Sequence, residues 1–172
     1  MYLLDTNVLI EAKNRYYAFD IAPGFWTWLD HAHEDELACS IEAVRRELLD
    51  GEDELSTWAR RHPAFFREID QGTTRRFGPL TEWVRSRSYT PAAVNAFTTN
   101  NADYLLVAYA KEHEHVLVTH ERPAPKAKAR VLIPDACTGL GVEFSDTFTM
   151  LRRTGAQFSL RTDKDGSARS GP

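Results

Sequence analysis

The chain has 172 residues, 42% of them hydrophobic and 27% charged, which suits one domain with a buried core and excludes global disorder. Its 21 Lys and Arg against 25 Asp and Glu leave a formal charge of -4, excluding a uniformly basic nucleic-acid coat but not a local basic patch. Two cysteines, Cys39 and Cys137, exclude a disulfide framework and a C-x-x-C zinc or redox pair.

In chain order, Tyr2-Leu3-Leu4 reads as a short buried strand, followed by a helical face of Val8, Leu9 and Ala12. Pro23 suits the first turn of a helix carrying Phe25, Leu29 and Ala32. Phe25, Trp26 and Trp28 are too closely spaced for a single buried face, so Trp26 is expected to be partly exposed or to serve an interface. Leu37-Ala38-Cys39 is the second strand, and Ser40 is placed to cap a helix of Ile41, Val44 and Leu48 that Gly51 stops. The stretch from Glu52 to Arg87 reads as wholly helical, with Trp58, Phe65, Phe66 and Trp83 as packing residues. Pro91 opens another helix, and a long one runs from Ala102 to Glu114 into the strand Val116-Leu117-Val118-Thr119. Val142-Glu143-Phe144 is a weaker fourth strand, and Met150 and Leu151 belong to a last helix ended by Gly155.

Strands alternating with helices imply an α/β fold with a parallel sheet and helices on both faces. Residues 1–160 show no linker or repeat and form the expected single domain. Residues 161–172 carry one Ala and no larger apolar side chain, so they read as a loose C-terminal tail. No apolar run is long enough to span a bilayer, and Met1-Tyr2-Leu3-Leu4-Asp5 lacks the features of a signal peptide. The expectation is a soluble, reduced, cytoplasmic protein without membrane contact.

Ligands of open α/β sheets bind beyond the carboxyl ends of the strands. The first strand runs into Asp5, and the third runs through Thr119-His120 into Glu121. Each acid, taken singly, reads equally as a functional group or as nothing more than the start of a solvated loop or a helix cap. Glu47 lies about 60° from Val44 on its helix, at the edge of the apolar face, whereas Glu42 is better placed for solvent. Asp103 stands at a helix start, where the helix dipole alone is reason enough for a carboxylate. The four together are more specific. Acids gathered without basic partners repel one another, and divalent cations between them relieve the repulsion; oxygen-only donors select Mg²⁺ or Mn²⁺ over zinc.

Leu3-Leu4-Asp5-Thr6-Asn7-Val8-Leu9-Ile10 resembles the opening motif of PIN-domain nucleases. Ser40 to Leu48, with Glu47, resembles their second acidic element, and Ala102-Asp103 and Val116 to Glu121 resemble the third and fourth. The set follows the family's order over residues 1–145 and is most similar to the toxin-type, VapC-like members. The resemblance implies a three-layer α/β/α fold with a central, mainly parallel sheet, and a metal-dependent endoribonuclease acting on single-stranded RNA. It implies Asp5, Glu47, Asp103 and Glu121 as the acids that hold one or two Mg²⁺ or Mn²⁺ ions, with Asn7 and Thr119 in support. It also implies a small antitoxin as partner and a homodimer. The chain departs from the pattern in carrying Glu121 where Asp is commoner, and in a longer helical insert around residues 52–90.

Arg122, Lys126, Lys128 and Arg130 follow the last acid and read equally as RNA phosphate contacts or as a solvated loop. Asp135 reads first as the cap of a helix beginning near Ala136 and second as a further rim carboxylate. His113-Glu114-His115 falls at a helix end, where histidines are favoured electrostatically rather than as metal ligands. Two other readings stand beside the nuclease. One is a phosphomonoester phosphatase with Asp5 as nucleophile, weakened by Asn7 where a second acid is usual. The other is a non-catalytic PIN-like module that binds RNA or protein.

Overall fold

The computed structural model describes residues 1–99 and 101–158; the tail expected at 161–172 lies outside the described residues. Five parallel strands stand in the order β3-β2-β1-β4-β5: β1 (Tyr2–Leu4), β2 (Ala38–Ile41), β3 (Phe66–Arg67), β4 (Val116–Val118) and β5 (Phe144–Ser145). Leu3, Leu4, Cys39, Ile41, Leu117 and Val118 are fully buried, as strands covered on both faces require.

The connections are helical: α1 (Thr6–Glu11) with a π-helical turn (Ala12–Tyr16), α2 (Pro23–Glu34), α3 (Glu42–Leu49), α4 (Glu54–Arg61), α5 (Gln71–Arg75), α6 (Phe77–Ser86), α7 (Pro91–Thr98), α8 (Ala102–His113), α9 (Ile133–Leu140) and α10 (Thr147–Arg153). The steps from β1 through β2 to β3 run one way across the sheet, and the step from β4 to β5 runs the other way. Right-handed crossovers therefore place α1 to α4 on one face and α5 to α9 on the opposite face, giving the α/β/α layers. The order reverses between β1 and β4, whose adjacent carboxyl ends form the switch point of the sheet. Among the described residues no helix is long and apolar enough to cross a membrane.

Helix ends follow local chemistry. The carboxylates of Asp53, Asp70 and Asp146 accept from the backbone N–H groups of Ser56, Thr73 and Thr149 and start α4, α5 and α10. Thr90 caps α7 ahead of Pro91. Glu114 (φ 53°) and Gly141 (φ 64°) end α8 and α9 in the left-handed region.

Four expectations are corrected. The stretch from Glu52 to Arg87 is not wholly helical: Phe66 and Arg67 form β3 and pair with Ser40 and Ile41. Two residues are too few to print a period of two on the sequence. Ser40 caps no helix, because β2 runs on through Ile41, and its buried Oγ donates to Leu4 O at 2.6 Å. Leu37, read as part of the strand, lies outside β2 and is 40% exposed. Trp26 is buried at 4% exposure: it stacks on Phe19 at 3.9 Å, leans on Trp58 at 5.4 Å and donates its indole N–H to Tyr17 O at 2.7 Å. Both flanks of α2 are packed, so close aromatic spacing does not force one ring outward.

Candidate active site

Asp5 takes the backbone conformation of the residue before α1, yet its side chain makes no capping bond. Its N–H donates to Val118 O at 3.0 Å, which fastens the carboxyl end of β1 to that of β4. The carboxylate is only 1% exposed, and its Oδ2 accepts from Thr119 Oγ1 at 3.0 Å. Thr119 Oγ1 in turn accepts from Glu121 N–H at 3.1 Å, so one buried hydroxyl sets both the Asp5 side chain and the backbone that carries Glu121.

The other acids arrive from separate elements. Asp103 sits in the first turn of α8, whose cap, Asn101, accepts from the Asp103 N–H at 2.8 Å. Glu47, on α3, accepts a short hydrogen bond from Thr6 Oγ1 and bears on Asp103 electrostatically. Glu121 Oε2 accepts from Ile133 N–H at 2.8 Å and thereby holds the start of α9.

Burial pushes the Asp5 carboxyl up to about 7, and the charges of Asp103 and Glu121 add to the rise against the Thr119 hydrogen bond. Burial also raises Asp103; Arg130 opposes that rise and the Glu47 charge reinforces it. Glu121 is raised by burial and held back by the Ile133 N–H and Arg130. The structure thus brings Asp5, Asp103 and Glu121 into one electrostatic unit, with Glu47 joined through Asp103.

The acids are not without a basic partner, which corrects the sequence reading. Arg130 donates a short hydrogen bond to Glu121 Oε1, and its guanidinium also lies 3.5 Å from Asp103 Oδ2. A basic residue read as an RNA contact therefore stands between two of the acids. Arg122, Lys126 and Lys128 are exposed along the same loop. Asn7 is exposed in the first turn of α1, and among the described residues it enters none of the hydrogen bonds that join the acids.

Asp135 is neither the helix cap nor an open rim group. It lies inside the first turn of α9, 8% exposed, and both its oxygens accept from Ala124 N–H, at 3.1 and 3.2 Å, pinning the loop that carries the four cations. His113 Nε2 faces Asp70 Oδ2 at 2.9 Å, far in role from the acids. Sequence reasoning missed Thr6, which orients Glu47; its signal was its place beside Asp5, and nothing local to it specified a partner on α3.

The donor set is wholly carboxylate, and a positive charge is already held between Asp103 and Glu121, so the residues suit a hard cation in chemistry. Among the described residues no three acidic, histidine or cysteine groups are yet gathered at ligating distance.

Residues 2–158 match a family described as "Domain of unknown function (DUF4411)". No curated protein matches the chain significantly. Among solved structures, a chain of VapBC2 from Rickettsia felis, crystallised bound to a DNA fragment from their promoter, is similar over 84% of this chain and 97% of its own length, with a TM-score of 0.53 and 14% identity. At that identity the likeness is one of fold.

Proposed function

This chain belongs to the DUF4411 family, and from the acids beyond the ends of β1 and β4 we propose that it is a PIN-type, metal-dependent endoribonuclease that hydrolyses phosphodiester bonds in single-stranded RNA. The observation that carries the reading is Asp5, a carboxylate buried at the switch point of a parallel sheet, unused as a cap and set against Asp103 and Glu121. A purely structural acid would be capping, paired or solvated there; this one is held ready and electrostatically strained.

In this reading Asp5, Asp103 and Glu121 would hold Mg²⁺ or Mn²⁺, and Glu47 would assist them or orient the attacking water. When bound, the cation polarises the scissile phosphate and makes that water more acidic. Thr119 holds the Asp5 carboxylate through its hydroxyl, and Thr6 does the same for Glu47. Arg130, which the acids hold here, would compete with such an ion and, with the exposed Arg122, Lys126 and Lys128 of the same loop, would be available to a phosphate. The fold shared with a chain of VapBC2 supports the narrower proposal that the protein is the toxin of a bacterial pair, restrained by a small antitoxin.

The test is cleavage of end-labelled single-stranded RNA by the purified protein with Mn²⁺ or Mg²⁺, beside a phosphomonoester substrate and an EDTA control. RNA fragments that vanish in EDTA are expected. Undiminished cleavage in EDTA overturns the metal mechanism, and turnover of the phosphomonoester alone favours the phosphatase with Asp5 as nucleophile.

A further inference from the structure

Most aromatic residues of this protein are core. Phe25, Trp26, Trp58, Phe65 and Phe66 are all buried. Tyr16 and Phe148 are different: they are 46% and 42% exposed, and they touch, with ring centroids 5.8 Å apart at an interplanar angle of 78°. Tyr16 ends the π-helical turn after α1, whereas Phe148 lies in the first turn of α10.

A third ring joins them to the acidic site. His120 stacks on Tyr16 at 6.1 Å and 23°, and in sequence it stands between Thr119 and Glu121, the two residues that organise the site beyond β4. His120 is itself held, with Nε2 3.2 Å from Thr147 Oγ1 and Nδ1 3.9 Å from Glu11 Oε2. Glu11 also faces Arg15 at 3.8 Å, whose side chain is 68% exposed.

We infer that Tyr16, His120 and Phe148 form a stacking subsite for an unpaired base of the strand whose phosphate the acidic site receives. Three observations select this occupant. Aromatic faces at a protein surface suit bases, all of which have a π-face, and such stacking needs no sequence-specific contact. An exposed cation, Arg15, stands beside the platform next to Tyr16 in sequence, a charge that suits a phosphate backbone. The platform is also tied to the acids by the backbone, since His120 stands between Thr119 and Glu121 in sequence. Two rings, each less than half exposed, fall far short of the roughly 800 Å² per partner that a stable protein interface uses. The rings are braced beforehand, so little side-chain freedom remains to be lost on binding. The inference rests on the nuclease reading for the position of the phosphate, but it concerns residues outside the acids.

The experiment compares wild type with Tyr16→Ala, Phe148→Ala and Tyr16→Phe. It measures affinity for a fluorescein-labelled single-stranded RNA in EDTA, KM and kcat for cleavage with Mn²⁺, and the melting temperature of each protein. Tyr16→Ala and Phe148→Ala should each weaken binding, and raise KM, by about 5- to 150-fold, the range of one stacked base. Tyr16→Phe should retain affinity and kcat should hold; the alanine variants should lose some melting temperature because each ring is more than half buried, and affinity is read well below the lowest midpoint so that the proteins compared are folded. Moving an abasic site along the RNA should reveal one position whose loss costs wild type as much as Tyr16→Ala does and costs that variant nothing further.

Cleavage by wild type with affinity and KM unaltered in both alanine variants overturns the subsite and leaves the nuclease standing. Affinity that depends on Tyr16 without cleavage in any metal supports the subsite and removes the nuclease. Absence of RNA binding under both conditions removes both. A change in sedimentation of the protein itself, with RNA binding intact, makes the patch an interface between copies and overturns the subsite.

Discussion

Replacing Asp5 by Asn keeps the shape of the side chain and removes a charge that the fold holds at a cost. Burial and the neighbouring acids raise the folded-state value from 3.8 to about 7. The sign follows from linkage. A carboxyl with a raised folded value binds its proton more tightly in the native state, so native stability is greatest below about 4 and declines as pH rises towards 7. At pH 8 the ionised group costs the metal-free protein roughly 3 units at 1.36 kcal/mol each, about 4 kcal/mol. Weakening of the Thr119 hydrogen bond in the variant offsets about 1 kcal/mol of this. Asp5→Asn should therefore stabilise the metal-free protein by about 3 kcal/mol at pH 8, roughly 6 to 12 °C in Tm for a chain of this size. The gain should shrink as pH falls and become a loss of about 1 kcal/mol near pH 4, where only the weakened Thr119 bond counts. Mn²⁺ at about 1,000 times its Kd should reverse the order, since it then adds about 4.1 kcal/mol only to the protein that binds it. Melts of both proteins from pH 4 to 8, with and without Mn²⁺, read all of this. Destabilisation by Asp5→Asn at pH 8, together with an equal gain of both proteins from Mn²⁺, would refute the reasoning and make Asp5 a structural residue.

Arg130→Gln removes the cation that spans Asp103 and Glu121, so the metal-free protein should lose about 1 kcal/mol, the arginine side chain being 61% exposed while the two carboxylates are mostly buried. Mn²⁺ should bind this variant more tightly in a titration because no guanidinium competes; an unchanged midpoint means that Arg130 does not occupy the ion's place. His115 titrates with the opposite sign to Asp5: burial lowers its value from 6.5 to about 4, so stability present above pH 6.5 is lost as pH falls towards 4. With solvent screening the loss is about 2 kcal/mol. The slope of Tm between those limits should flatten in His115→Gln relative to wild type, and an unchanged slope removes His115 as its source.

Periodicity and punctuation determined much of this protein by themselves. Short apolar runs such as Tyr2 to Leu4 and Val116 to Val118 can be satisfied only by burial on both faces, and the helical period between them leaves a parallel α/β sheet as the economical solution. The same pattern placed Asp5 and Glu121 after strands and Asp103 at a helix start, because those positions are local properties of the chain. What the tertiary structure alone decided were the pairings between distant segments. Phe66 and Arg67 become a strand only because β2 offers unpaired backbone beside them. Trp26 is buried because Phe19 and Trp58 close over α2 from other parts of the chain. Ser40, Asp135 and Arg130 each carry a side chain suited to several partners, and the partner was chosen by whichever group the fold brought within reach: the Leu4 carbonyl, the Ala124 amide, and the carboxylates of Asp103 and Glu121. Local sequence encodes which face is apolar and where a helix can begin. It does not encode which loop returns to meet it, since a hydrogen bond depends on ångström-scale placement that only the packed chain supplies.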